Sequence, residues 1–257
     1  MKIFSVVNQK GGVGKTTSTV NLAAGLAKLG HRVLVVDLDP QRNATSTLHR
    51  GEYSGVGIND LIYFTVSGTP CDIGYYIKHN DIEDVDYIPA SPVLASAPGI
   101  LATDRDGSTV LARIFRTPYF EKYDFILIDC KPSLDLLVVN ALAASDQLIV
   151  PTEPEDFAVD GLTDLLSTVD RIRDSFNETL DINGILITRA NTTRKRTGEV
   201  VAQLREAFGE LVYKTIIPNL ADAAKAQDAR VSMVNCPDAK RLGGLYLDVV
   251  GEVLERG

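Results

Sequence analysis

The sequence predicts a doubly wound α/β fold: one mostly parallel sheet with helices on both faces. Three observations lead there. Short apolar runs rich in β-branched residues recur along the 257 residues, amphipathic stretches of helical length separate them, and a glycine-rich turn stands directly after the first run. Parallel strands buried on both faces read as continuous apolar runs, and strands alternating with helices specify a parallel sheet. About 45% of the residues are apolar, which suffices for a sizeable core. The length suits a single α/β domain spanning residues 1–257.

The elements follow in order. Residues 3–7 are apolar apart from Ser5 and form the first strand. Residues 16–29 place Val20, Ala23, Ala24 and Ala27 on one helical face, and Gly30 ends the helix. Residues 32–37 are the second strand. Residues 50–120 are less regular and richer in Gly, Pro and Asp, an elaboration on the same domain. Strands at 125–129, 147–151, 184–188 and 212–218 then alternate with helices at 133–144, 161–176, 197–208 and 243–254. No internal repeat or low-complexity tract interrupts them.

The net charge of −8 argues against adhesion of the whole surface to nucleic acid, so any such contact needs a local basic patch. Cys71, Cys130 and Cys236 lie far apart, without metal or redox spacing, and fit a reducing compartment. The first apolar stretch is too short for a signal peptide, and no run approaches the ~18–20 residues that span a bilayer. A soluble, cytoplasmic protein is expected.

The strongest signal is Gln9-Lys10-Gly11-Gly12-Val13-Gly14-Lys15-Thr16. A glycine-rich turn between a strand and a helix presents backbone N–H groups, together with the positive end of the helix dipole, to phosphate oxygens. Lys15 reaches the β- and γ-phosphates, and the Thr16 hydroxyl ligates Mg²⁺. The general pattern G-x-x-x-x-G-K-[ST] fails by one residue, because Gln9 occupies the first glycine position, and a second lysine, Lys10, stands inside the loop. Lys15 already fills the in-chain role. Lys10 is therefore either a solvated charge or a group that reaches phosphate on another subunit.

This loop resembles the deviant Walker A motif of the ParA/MinD family of ATPases. Asp37-Leu38-Asp39-Pro40-Gln41 is similar to the family's second-strand motif, and Asp124-Phe125-Ile126-Leu127-Ile128-Asp129-Cys130 to its Walker B strand. Similar stretches occur at Asp86-Tyr87-Ile88-Pro89-Ala90-Ser91, Pro151-Thr152-Glu153 and Ile216-Ile217-Pro218, so the likeness covers nearly the whole chain. The resemblance implies a homodimer that sandwiches ATP and Mg²⁺, in which Lys10 contacts the nucleotide of the partner subunit. It implies that Asp39 positions the attacking water, with Lys10, Lys15 and Asp39 as the catalytic set. The nucleotide is cradled by Lys10, Gly11, Gly12, Val13, Gly14, Lys15, Thr16 and Thr17, Thr17 at the α-phosphate, with Pro218 walling the adenine. Thr16 and Asp129 hold the metal. Asp37 either adds to the metal shell or caps the turn at Pro40.

ParA-like members bind DNA nonspecifically as ATP dimers, and a ParB-like centromere-binding protein stimulates their hydrolysis. Nonspecific binding works by basic side chains displacing counterions from phosphates. The candidates are Arg189, Arg194, Lys195 and Arg196, and a second group, Lys225, Arg230, Lys240 and Arg241. MinD-like members instead grip membrane through a basic amphipathic C-terminal helix. Here residues 245–257 carry three acids and one base, which anionic lipid repels. The leading expectation is a nucleoid-associated partition ATPase of the short ParA type, with no helix-turn-helix before the loop. Its rivals are a membrane-associated positioning ATPase and an amide- or ring-forming ligase. Asn219, Arg42, Lys131 and Asn191 depart from the family's usual Arg, Gly, Pro and Asp, which bears on the DNA contacts rather than on the ATP site.

Overall fold

The computed structural model describes residues 1–53 and 55–257. Seven strands form one sheet: β1 (Lys2–Val6), β2 (Val33–Leu38), β3 (Lys78–Asn80), β4 (Val85–Ile88), β5 (Phe125–Cys130), β6 (Gln147–Thr152) and β7 (Asp181–Ile187). Their order is β3-β4-β2-β5-β1-β6-β7, parallel throughout except for β3, which pairs antiparallel to β4. Among the described residues ten α-helices accompany them: α1 (Lys15–Lys28), α2 (Asn43–Leu48), α3 (Ile58–Ser67), α4 (Ala97–Leu101), α5 (Val110–Phe115), α6 (Leu136–Ala144), α7 (Ala158–Ser175), α8 (Lys195–Phe208), α9 (Asp222–Asp228) and α10 (Lys240–Glu255).

Alternation along each strand feeds two cores. Ile3, Val7, Leu34, Val36, Ile126 and Ile128 pack with α3 to α8 on one face. Phe4, Val6, Val33, Val35 and Leu127 pack with α1, α2, α9 and α10 on the other. This two-sided burial is why the central strands are mostly apolar on both faces. The chain leaves β1 toward β2 on one side and later returns to β6 on the other, so the strand order reverses beside β1. Ligands of such sheets bind beyond the carboxyl ends of the strands at that reversal.

Two expectations need correction, the strand at 212–218 and the helix starts. Residues 212–218 do not form a strand. They run beside β7 with only isolated bridges at Ile185–Val212 and Ala190–Pro218. The reason is local: the amides of Lys214 and Thr215 donate to the Glu252 carboxylate on α10, at 2.7 and 2.9 Å, instead of to a sheet neighbour. The irregular stretch 50–120 holds two strands of the same sheet, β3 and β4, with α3 to α5. Helix starts also shift. Asp135, whose side chain accepts from Leu137 and Val138, caps α6 in place of Ser133. α7 and α10 each begin three residues before Gly161 and Gly243, the starts that the sequence predicts.

Candidate nucleotide-binding site

The loop between β1 and α1 is fastened on all sides. The Asn8 amide donates to the Pro151 carbonyl at 2.8 Å and accepts from the Lys10 amide at 2.9 Å. The Thr188 hydroxyl at the end of β7 donates to the Val13 carbonyl at 2.7 Å. Val13 itself is fully buried and plugs the loop into the core. Gly12 and Gly14 take φ of 78° and 83°, a left-handed backbone that a side chain would strain. Gly14 is also the N-cap of α1, whose first-turn N–H groups have no partner within the helix and face the cavity.

That cavity has a volume of about 980 Å³ and is lined by Gly11, Gly12, Gly14, Lys15, Thr16 and Thr17 on one wall. Asp39, Ile217 and Pro218 line it as well. Lys15 is 8% exposed, and its ammonium donates to the Lys10 carbonyl at 2.9 Å. Burial lowers its pKa, against the opposing pull of Asp129, Cys130 and Asp39.

Three parallel strands bring the acids together. Register pairs Asp37 with Asp129 and Val6 with Asp129, so β2, β5 and β1 end side by side. The fully buried Asp129 carboxylate accepts from the Thr16 hydroxyl at 2.7 Å and from Thr19 at 3.3 Å. Burial raises its pKa, and the neighbouring Asp37 charge raises it further. Asp37 is raised by burial too, against three hydrogen bonds that favour the anion. These bonds occupy both of its oxygens: Oδ1 accepts from the Asp39 amide at 3.1 Å, and Oδ2 from the Thr45 amide and hydroxyl at 2.7 and 2.6 Å. These bonds tie Asp37 to the β2–α2 turn. Asp39 lies at the cavity wall, 8% exposed, with Oδ1 accepting from the Gln41 amide at 2.9 Å.

A hydroxyl and a carboxylate, both hard oxygen donors, beside a buried pair of like charges fit a small divalent cation. Among the described residues no group of three or more His, Cys, Asp or Glu could hold a metal alone. Mg²⁺ takes one or two protein oxygens and completes its shell with phosphate and water.

Lys10 does not line the cavity. Its half-exposed ammonium pairs with Glu155 beyond β6. The other basic residues separate. Arg189, at φ 51°, donates to the Gly12 carbonyl at 3.0 Å and so rests on the phosphate loop at the cavity edge. Arg230, at φ 54°, also lines the cavity. Arg194, Lys195 and Arg196 gather at the start of α8, with Arg196 bonded to Asp156 and the Lys195 side chain 94% exposed. Lys225 pairs with Asp222 at 3.0 Å.

Sequence reasoning missed Asn21, which lines the same cavity. Its side chain accepts from the Met233 amide at 2.7 Å and donates to the Thr17 carbonyl at 2.8 Å, tying α1 to the segment before α10. The signal was there: an amide beside Val20 on the apolar face of α1 must find partners when buried.

The family model described as an AAA domain matches residues 1–182. Among curated proteins, the sporulation initiation inhibitor protein Soj of Bacillus subtilis is 37% identical, covering 100% of this chain and 99% of its own length. The chromosome-partitioning ATPase Soj of Thermus thermophilus is 41% identical over 87% of this chain and 83% of its own. Among solved structures, cobyrinic acid a,c-diamide synthase of Mycobacterium smegmatis with bound ATP analogue and magnesium superposes with a TM-score of 0.82 at 27% identity, covering 99% of this chain and 95% of that one. A putative plasmid partition protein of Borrelia burgdorferi bound to AMPPNP gives 0.76 at 27%, covering 99% and 97%.

Proposed function

Because the chain belongs to the ParA/Soj family of ATPases, we propose that it is an ATP-dependent DNA-partition protein. Two copies close on Mg·ATP, the pair holds DNA through its phosphates, and a ParB-like centromere-binding protein triggers hydrolysis. Turnover is weak without that partner, and the protein sits on the nucleoid in the cytoplasm. Residues 1–257 act as one domain.

One observation carries this reading: the Lys15 side chain lies inside the cavity, its ammonium on the Lys10 carbonyl, while the Lys10 ammonium, five residues earlier, turns away to Glu155. An ammonium held outside its own site is placed to serve a neighbour's. ATP hydrolysis needs little covalent help from the protein; it needs placement and charge against the γ-phosphate. The amides of the loop and Lys15 hold the phosphate chain. Thr16 and Asp129 would hold Mg²⁺, which would supply positive charge against the phosphate groups. Asp39 at the end of β2 orients the attacking water, and Lys10 of the second copy adds positive charge only when that copy is present.

For the DNA contact, the start of α8 supports the reading. Basic residues at a helix N-terminus oppose the helix dipole, and α8 has no acid in its first turn. Phosphate bound there offsets both. A membrane role finds no comparable support. Leu242, Tyr246, Val249, Val250 and Val253 of α10 are buried against the sheet side that carries α1, so its apolar face is already used. None of the helices among the described residues is long and apolar enough to cross a membrane. The likeness to a diamide synthase keeps an amide-forming ligase as the second reading. A ligase would consume ATP only with an acid substrate and an amide donor, indifferent to DNA and to pairing.

The test is ATP turnover and self-association of wild type, Lys10→Ala and Asp39→Ala with and without random-sequence duplex. Asp39→Ala should pair and bind DNA without hydrolysing, and Lys10→Ala should not pair. A wild-type chain that hydrolyses ATP as a lone subunit, at the rate of Lys10→Ala, sinks the proposal.

A further inference from the structure

The segment after β6 carries Glu153, Glu155 and Asp156, and each carboxylate meets a different cation. Glu153 lies 3.9 Å from Arg189 Nε. Glu155 closes on Lys10. Asp156 accepts from Arg196 Nε at 2.9 Å and from its Nη2 at 2.5 Å. The three cations come from the phosphate loop, the end of β7 and the first turn of α8. In the partition reading, on which this inference rests, they share one property: Lys10 faces the partner's nucleotide, Arg189 the nucleotide cavity and Arg196 the DNA backbone.

The segment is also tightly turned. The Glu155 amide donates to the Glu153 carbonyl at 2.8 Å. Phe157, which follows, holds φ 67° with its ring 81% exposed. A bulky residue keeps a left-handed backbone only where its surroundings enforce it. Phe157 is the N-cap of α7, with the Gly161 amide donating to its carbonyl at 3.0 Å and the Ala158 amide donating to the Glu155 carbonyl at 3.1 Å. Because Glu155 and Asp156 are adjacent in one turn, displacing one carboxylate from its cation disturbs the other.

We infer that residues 153–156 are an intramolecular stand-in for phosphate, which occupies Lys10 and Arg196 in the lone subunit and gives both up when ATP draws two copies together. Loading of nucleotide and affinity for DNA then rise together, and by linkage each promotes the other. The Lys10–Glu155 and Arg196–Asp156 pairs are exposed, and an exposed ion pair is worth at most about fivefold in an equilibrium. The device biases the switch and does not lock it.

The test uses the full chain, a random-sequence duplex and a non-hydrolysable ATP analogue with Mg²⁺. Fluorescence anisotropy reads DNA binding, and sedimentation velocity reads pairing. Asp156→Asn should bind duplex about three- to fivefold tighter than wild type without nucleotide, and that gap should close once both are loaded. Glu155→Gln should lower the protein concentration for half-maximal pairing by about the same factor. Equal tightening of Asp156→Asn in both states would make Asp156 merely a nearby charge and overturn the inference, as would unchanged pairing of Glu155→Gln. A wild type that pairs but never binds duplex defeats the partition reading instead, while the pairing arm still decides for or against Glu155.

Discussion

Asp129 at the end of β5 and Asp156 beyond the end of β6 are both carboxylates with two hydrogen-bond donors apiece. Asp129 is fully buried, and its donors are the hydroxyls of Thr16 and Thr19. Asp156 is 61% exposed, and its donors are two nitrogens of a single arginine. Burial decides what each is worth. In the interior a charge left without its partner costs several kcal/mol, whereas an exposed pair contributes ~0–1 kcal/mol. The nucleotide edge is therefore a rigid instrument, and the cationic start of α8 an adjustable one.

The sharpest way to break that contrast is to remove a buried charge. Lys15→Ala should cut ATP turnover by ~10²–10³, the usual loss when one preorganised donor to a transition-state oxygen is deleted; a loss below tenfold in a phosphate-release assay would place Lys15 outside the chemistry. Next in size is packing just behind the edge. A Cβ at Gly184 would overlap the Tyr213 ring and lie 2.8 Å from the Arg256 guanidinium. Gly184→Ala should cost about 1–3 kcal/mol in urea unfolding, with ATP binding by the residual folded protein retained.

Between the two extremes lies Glu252. Burial pushes its carboxyl up, yet the amides of Lys214 and Thr215 and the Arg256 charge bring it below the ordinary glutamate value of 4.5. A depressed folded pKa adds stability above the unfolded value and loses it as pH falls through the folded one. Wild type should lose unfolding free energy below about pH 4.5 more steeply than Glu252→Gln; parallel pH profiles would contradict the assignment. At the exposed end, replacing Arg194, Lys195 and Arg196 together by alanine should leave pairing intact. The slope of log affinity for duplex against log salt should become shallower by about 0.9 per lost phosphate contact. Smallest of all, Lys225→Ala should change that slope by less than one contact, because Asp222 already neutralises the lysine.

The same contrast governs what the sequence disclosed. β1, β2, β5, β6 and β7 are legible because strands buried on both faces read as nearly continuous apolar runs, with their polar residues few. The phosphate loop is legible because only glycine accepts its backbone at residues 12 and 14. β3, with the sequence Lys-His-Asn, and β4, with Asp86 in its middle, carry no such signature, being short strands at the sheet margin. Residues 212–218 misled because an apolar run does not say where its amides go, and a carboxylate thirty-odd residues later claimed two of them. Arg189 and Arg196 look alike in the sequence, but a positive φ at Arg189 sends one to the phosphate loop while the other meets Asp156.

The margins of the sheet have a consequence for assembly. On one side the outermost strand is three residues long and bears Lys78 and His79, the kind of short, charged border that resists pairing with a foreign strand. On the other, the segment 212–218 shields β7, with Tyr213 and Ile217 donating to its carbonyls. Any filament or larger array of this protein must then grow through helices, loops and trapped nucleotide, and not by stitching one molecule's backbone ribbon to the next.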